Sequence, residues 1–440
     1  MSMCKNRAWK LLEDMSFVRV AGSEEDIKCA QLLKDTVEAA GIPAVIEDFE
    51  VDVVNVNTAT LEVLEPEYHA YPVIGIGKTP NTPEEGVVGG FKYIEDATDA
   101  NLTDVEGKIV LMQGRAKPDL FEKLQKKGAL AYISLGGNMY EEESIKNELR
   151  PQNAFGKNNP LPGVKIHISE AEKLVLSKPT KVKLVLNSEA TKATSHNVVA
   201  TIEGTDLKDE VLVFSAHCDS VPYSKGSWDN ATGSVTIMEL MHYFKEHGSR
   251  RTLKFVWCGA EEIGLVGSRE YCKAHEAELK DVIFNINFDM TGVTIGYEHC
   301  CVSASEDTLH AIEYMAKLNN YPVKTELGTY PSDSTSFAAA GVPACTFARL
   351  QAMGGAVIHN HNDTMEHLDP DSFMITLEFV AKFAEQIANA PVNPIPRKFA
   401  ESVSKKLEES KKMRAAMEAK EEKKDEEKKP EENKEAEEKK

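Results

Sequence analysis

Apolar positions near the start of the chain recur every three to four residues, then alternate, then gather into short runs. Trp9, Leu11, Leu12 and Met15 predict a helix over residues 5–15. A second predicted helix opens at Ser23, whose hydroxyl can cap the first turn, with acidic residues following where the helix dipole favours them. It runs to Ala40 and stops at Gly41-Ile42-Pro43, after which residues 44–54 alternate as a strand.

Between residues 57 and 177 the texture changes. Short β-like runs (59–64, 71–74, 86–88, 108–112, 129–134) are separated by Pro and Gly, with one helical segment over 119–127. His69 and His167 are isolated there. From Ser195 strands alternate with helices, including helices over 231–247 and 265–279, as far as about Ala390. That alternation predicts parallel strands joined by crossover helices. The expected architecture is α/β: a mixed, largely parallel sheet flanked by helices, with an inserted β-rich domain. Residues 1–56 and 178–396 form the main domain, 57–177 the insertion, and 397–440 a charged tail, partly helical and mostly disordered.

With 440 residues, 42% of them hydrophobic, the chain can bury a large core. Its net charge is −20, yet residues 401–440 hold 14 acids against 13 bases, so nearly all the excess sits on the folded part. An acidic surface argues against nucleic acid, which needs basic patches. The first five residues hold no apolar signal core, and no run approaches the roughly 18 apolar residues of a membrane span. The eight cysteines are scattered, without Cys-x-x-Cys spacing, which predicts reduced thiols in a cytoplasm. Cys218 and Cys258 read as small buried residues at strand ends.

Four predicted strands stop at, or lead into, residues that can hold a metal ion. Residues 211–216 run into His217-Cys218-Asp219, 253–257 into Glu261-Glu262, and 282–288 into Asp289, while 344–347 precede a loop carrying His359 and His361. In open α/β sheets ligands gather beyond the carboxyl ends of the strands. Histidine and carboxylates suit zinc, and a shared carboxylate suits a two-metal hydrolytic centre. Asp229, in the tight turn Gly226–Gly233 that opens a helix, fits the bridge. His217 and Asp219 are two apart and point the same way on an extended strand, so His217 is the ligand and Asp219 orients it. A metal-activated water still needs a base, which assigns Glu261 as base and Glu262 as ligand. Asp289 ends an apolar strand, where a buried carboxylate must be paired or metal-bound. Spacing does not choose between His359 and His361.

The stretch from Ser195 to Phe383 resembles the di-zinc aminopeptidase family, which also contains the glutamate-carboxypeptidase-type enzymes and animal glutaminyl cyclases. The resemblance rests on Ala216-His217-Cys218-Asp219-Ser220, Asp229-Asn230-Ala231-Thr232-Gly233, the run Gly259 to Ser268, Asn287-Phe288-Asp289-Met290, Ser332-Asp333-Ser334 with Phe337, and His359 through Thr364. Residues 57–177 resemble the protease-associated domain that interrupts some exopeptidases, on Gly107 to Met112 and Lys127-Gly128-Ala129. By that resemblance His359 is the last ligand. His217 and Asp289 complete one zinc, Glu262 and His359 the other, Asp229 bridges, and Glu261 is the base. Asp333 falls at a position lining the substrate cleft. The family often places Tyr or His after it to stabilise the oxyanion. Ser334 stands there instead, with Tyr330 and His361 as substitutes. The implied activity is removal of N-terminal residues from peptides with a free N-terminus, using two zinc ions per chain; cobalt or manganese also suit such ligands. The same centre would serve a small-molecule amidohydrolase, or a carboxypeptidase with Arg269 or Arg349 binding the terminal carboxylate. A non-catalytic binding protein of this fold fits less well, since all five ligands are present. A homo-oligomer is compatible with the sequence.

Overall fold

In the computed structural model, residues 3–412 are described except 97, 114–117, 140, 142–147, 150, 151, 154–159, 353–355 and 357. The expected tail therefore lies largely outside the described residues. Its first part, 401–412, is helical, with Val403 and Leu407 buried. The described chain forms two compact units, Met1–Val51 with Lys192–Glu409, and Asp52–Thr191.

The first unit is built on a mixed sheet. Strands Leu207–His217, Arg251–Cys258, Val282–Phe288 and Ala344–Gln351 lie parallel in the order 344–351, 282–288, 207–217, 251–258. Residues 198–202, ending the strand Lys181–Ile202, pair antiparallel with Arg251–Cys258. On the far side Gly296–Ser303 runs antiparallel to Ala344–Gln351, and Lys324–Leu327 parallel to Gly296–Ser303. The register pairs His217 with Cys258 and Ser215 with Asn287, so the parallel strands end at nearly the same level.

The central strands are apolar because helices cover both faces. Phe214, Phe255, Trp257, Phe284, Phe288 and Phe347 are fully buried, each contributing about 1.5–3 kcal/mol of burial free energy. Helix Thr232–His247 is buried over most of its length. Helix Pro370–Asn389 begins with Pro at its first turn and an Asp369 cap that accepts the Ser372 N–H at 2.7 Å. Helix Lys5–Met15 buries Ala8, Leu11, Leu12 and Met15, while Trp9 stays partly exposed. The helix expected over 265–279 is shorter, Val266–Ala274, and gives way to turns from His275.

One face of strand Val282–Phe288 departs from the apolar rule. Asn285 and Asn287 alternate onto the side that continues to Asp289. Ser215 donates to Asn287 at 2.8 Å, and Asn287 donates to Ser332 at 2.9 Å. A buried line of polar groups thus leads up the sheet to its carboxyl end.

In the second unit Val87–Ile94, Lys108–Met112, Ala131–Gly136 and Gly163–His167 form consecutive parallel neighbours, with Val73–Gly77 antiparallel to Gly163–His167. Helices Pro118–Lys126 and Ile168–Leu176 accompany this sheet. Ile109, Leu111, Ala131, Ile133, Val164 and Ile166 pack in one core.

Candidate metal centre

His217 is the last residue of its strand and is buried. Nine residues on, Gly226 turns the backbone with φ +55°, and Ser227–Ala231 lead into helix Thr232–His247. This turn presents Asp229 to both histidines. Asp229 Oδ1 lies 3.1 Å from His217 Nε2, and Oδ2 lies 2.9 Å from His359 Nε2. His217 Nε2 is also 3.6 Å from Asp289 Oδ1, and His359 Nε2 is 3.3 Å from Glu262 Oε1. Two trios result, His217–Asp229–Asp289 and Asp229–Glu262–His359, each with its donor atoms within 4.8 Å of one another. Asp229 belongs to both, one oxygen to each. Glu261 Oε2 stands 4.0 Å from His217 Nε2.

The supports are backbone bonds to buried carboxylates and amides. Asp219 accepts the N–H groups of Glu261 at 3.0 Å and Glu262 at 3.1 Å, and its Oδ1 lies 3.4 Å from His217 Nδ1. Asp363 accepts the N–H groups of Trp228 at 2.7 Å and Asp229 at 3.2 Å. Asn230 donates to Phe288 O at 2.8 Å and accepts the N–H groups of Gly233 and Met290, tying the Asp229 turn to the strand end that carries Asp289.

Burial and crowding dominate the electrostatics. Burial pulls the His217 imidazole down, but the carboxylates of Glu261, Asp219, Asp229 and Asp289 raise it well above its ordinary value. For His359, burial is likewise outweighed by Asp229 and Glu262, and it is pushed up to about 9. Burial raises Asp229, yet the two histidines hold it well below the ordinary carboxylate range. Glu261 is pushed well up by burial, with Glu262, Asp289 and Asp333 adding to this against His217. Burial and the Asp229 charge bring Asp363 to about 7. So many buried carboxylates around two imidazoles call for compensating cations. A nitrogen donor with carboxylate oxygens at each of two adjoining positions fits zinc.

The structure thus brings His217, Asp229, Glu262, Asp289 and His359 together, with Glu261 and Asp219 beside them. Tyr330 is half-buried; burial raises its phenol far above the ordinary value, and the charges of Asp289, Asp229 and Glu261 add to this. Asp333 is fully buried, its carboxyl pushed up to about 7 chiefly by that burial, and neither oxygen finds a hydrogen-bond partner among the described residues. Ser334 is buried with its hydroxyl 2.6 Å from that of Thr346. His361 is half-buried, two residues beyond His359. Arg349 is committed to the buried Glu298 at 2.9 Å and to Val293 O, and Arg269 donates to Gly264 O. Sequence reasoning gave no part to Arg19, Asn230 or Asp363. Asn230 adjoins Asp229 and Asp363 lies four residues after His359, both within quoted motifs, whereas nothing local marks Arg19.

Histidines and carboxylates gathered beyond the carboxyl ends of a largely parallel sheet form a donor set suited to a divalent metal. Residues 197–384 match the model of peptidase family M28. Among curated proteins, "Aminopeptidase YwaD" of Bacillus subtilis (strain 168) is 31% identical over 225 residues, covering 50% of this chain. The chain spans 47% of that relative's length. "Carboxypeptidase Q" of Bos taurus is 23% identical over 394 residues, covering 83% of this chain and 82% of the relative. Among solved structures, a zinc aminopeptidase from Bacillus subtilis superposes with a TM-score of 0.73 at 21% identity, covering 91% of this chain and 99% of that one. This last likeness establishes the fold.

Proposed function

We propose that the chain is a two-metal exopeptidase that removes N-terminal residues from peptides. The observation that carries this reading is the division of the Asp229 carboxylate between His217 and His359, at 3.1 and 2.9 Å. His217 and Asp289 would hold one zinc, Glu262 and His359 the second, and Asp229 both. Cobalt or manganese would also suit these donors. Bound there, two zinc ions polarise a carbonyl and acidify a water.

The remaining work falls to this chain's own groups. Glu261 takes the proton of the attacking water and returns it to the leaving amine; its raised affinity for protons, a consequence of burial, suits that exchange. Asp219 fixes the backbone of the Glu pair and faces the far side of the His217 ring. The Tyr330 phenol, kept neutral among carboxylates, donates to the oxygen that gains charge. By the family resemblance His361 and Asp333 would line the substrate cleft; Asp333 is fully buried.

Carboxylate-rich surroundings favour a substrate arriving with a protonated amine. A terminal carboxylate needs a cation, and Arg349 is bound to Glu298. This supports the aminopeptidase reading over the carboxypeptidase one, although relatives of both names match. We read Asp52–Thr191 as a protease-associated module interrupting the peptidase domain. All eight cysteines are free, which supports a reducing, cytoplasmic location. No described helix is long and apolar enough to cross a membrane.

The test is a panel of aminoacyl amides, N-acetylated controls and peptides with blocked or free carboxyl ends, with bound metal counted on the same sample. Cleavage of free-amine substrates alone, with about two metals per chain, supports the proposal. Cleavage dependent on a free carboxylate, or of small amides alone, replaces it with the carboxypeptidase or amidohydrolase reading.

A further inference from the structure

Arg19 follows the first helix, well outside the family-matched segment 197–384. It is fully buried, and its partners are backbone carbonyls. Nε donates to Cys218 O, Nη1 to Met15 O and Phe17 O, both at 3.0 Å, and to Lys225 O, and Nη2 to Gly226 O at 2.8 Å. Its own backbone pairs with Ser220, the amide donating to Oγ at 3.0 Å and the carbonyl accepting the Ser220 N–H at 3.2 Å. A buried guanidinium is costly unless its donors are met; here five carbonyls surround it.

Those carbonyls belong to the end of the first helix and to the loop between two metal-site residues. Cys218 follows His217 directly, and Gly226 opens the turn that carries Asp229. The packing leaves no slack: a Cβ on Gly226 would lie 2.5 Å from Asp229 O, 2.8 Å from Ser220 Cβ and 3.0 Å from Arg19 Nη2. Arg19 thus spans the loop at both ends. Lysine offers three donors from one point and cannot meet the five carbonyls that the guanidinium fork meets.

Building on the metal-centre reading above, we propose that Arg19 is a positioning residue, set in the N-terminal segment, that fixes the separation of His217 from Asp229 and so makes the shared metal site. It touches neither metal nor substrate. Through Arg19 the N-terminal segment thus contributes to the site although it lies outside the family-matched residues.

Arg19→Ala and Arg19→Lys are each compared with the parent protein by zinc titration, unfolding temperature and turnover, with and without added guanidinium at millimolar concentration. Folded variants should bind zinc roughly ten- to a hundredfold more weakly, and turnover should fall with it. Guanidinium should restore zinc affinity in Arg19→Ala and not in Arg19→Lys, whose side chain fills the space. Parent-like zinc affinity in the folded variants would overturn the proposal. So would a lower unfolding temperature with no change in zinc affinity, or rescue by lysine itself. A parent protein that binds no zinc would sink the metal-centre reading instead.

Discussion

Asp219 and Asp363 support the metal centre from two sides in the same way. Each is a buried carboxylate, and each accepts two consecutive backbone N–H groups of a turn that presents side chains of the proposed metal site. Asp219 takes those of Glu261 and Glu262, and Asp363 those of Trp228 and Asp229. Bonds to a carboxylate are stronger than neutral ones. Fixing two successive amides leaves the intervening peptide little freedom to turn its side chain away.

An asparagine in either place offers one acceptor and brings an N–H₂ group against a backbone N–H. Asp363→Asn should loosen the Asp229 turn and weaken both zinc positions, since Asp229 serves both. Zinc affinity and turnover should drop about ten- to a hundredfold, measured by metal analysis after dialysis against graded chelator. Full retention of both metals at parent affinity would show that the double bond to the turn is dispensable.

Glu261→Gln preserves shape and removes the proton acceptor. Glu261 belongs to neither trio of donors, so metal content should stay at the parent level while turnover is lost by at least about a hundredfold. Metal analysis and single-turnover assays on one sample check this. Zinc lost along with activity would make Glu261 a ligand.

Arg349 separates the peptidase readings. Arg349→Met leaves Glu298 buried with only the Tyr321 and Thr376 hydroxyls, and breaking such a pair costs about 3–5 kcal/mol. Stability should fall by that order in urea unfolding, while KM for an aminoacyl amide, assayed well below the unfolding transition, stays put. A large rise in KM for substrates with a free terminal carboxylate would show that Arg349 recognises that group.

Strand ends were readable in the sequence because apolar runs that stop at His217, Asp289 and the Glu pair carry their own punctuation. The proposed ligands His217, Asp289 and Glu262 followed from those ends; Asp229 and His359 sit on turns further along and were read from their residue types and from the resemblance. The supports were readable only in part. Asp219 was expected beside His217, but Asp363, though inside a quoted motif, works through backbone N–H groups far away in sequence, and Arg19 works through carbonyls of the 218–226 loop, which no local pattern announces. Arg349 was open to the opposite reading: a lone arginine near a cleft looks free until the buried Glu298 beside it is seen. Strand length was also under-read: residues 44–54 belong to the longer strand Ala44–Glu65, because an edge alternating half-buried and exposed residues gives no apolar boundary.

Asp26 allows a prediction of stability against pH that does not involve the metals. It is buried in the first turn of helix Glu24–Ala39 and accepts the Gly22 N–H at 2.7 Å. Burial, with the Asp219 charge adding to it, pushes its carboxyl up to about 6, against Gly22, Ser195 and His196, from an ordinary 3.8. The folded protein therefore binds this proton more tightly than the unfolded chain does. Stability from this group falls as pH rises from about 4 to about 6, and the loss is complete above that window. An asparagine in its place keeps an acceptor for the Gly22 N–H and carries no charge, so it escapes the loss. Relative to the parent, Asp26→Asn should gain on the order of 2–3 kcal/mol between about pH 4 and about pH 7.5. Urea midpoints of both zinc-loaded proteins at those two pH values give the difference. A difference that does not change with pH would mean that Asp26 is ionised in the folded protein throughout, with its charge held by Ser195, Gly22 and His196.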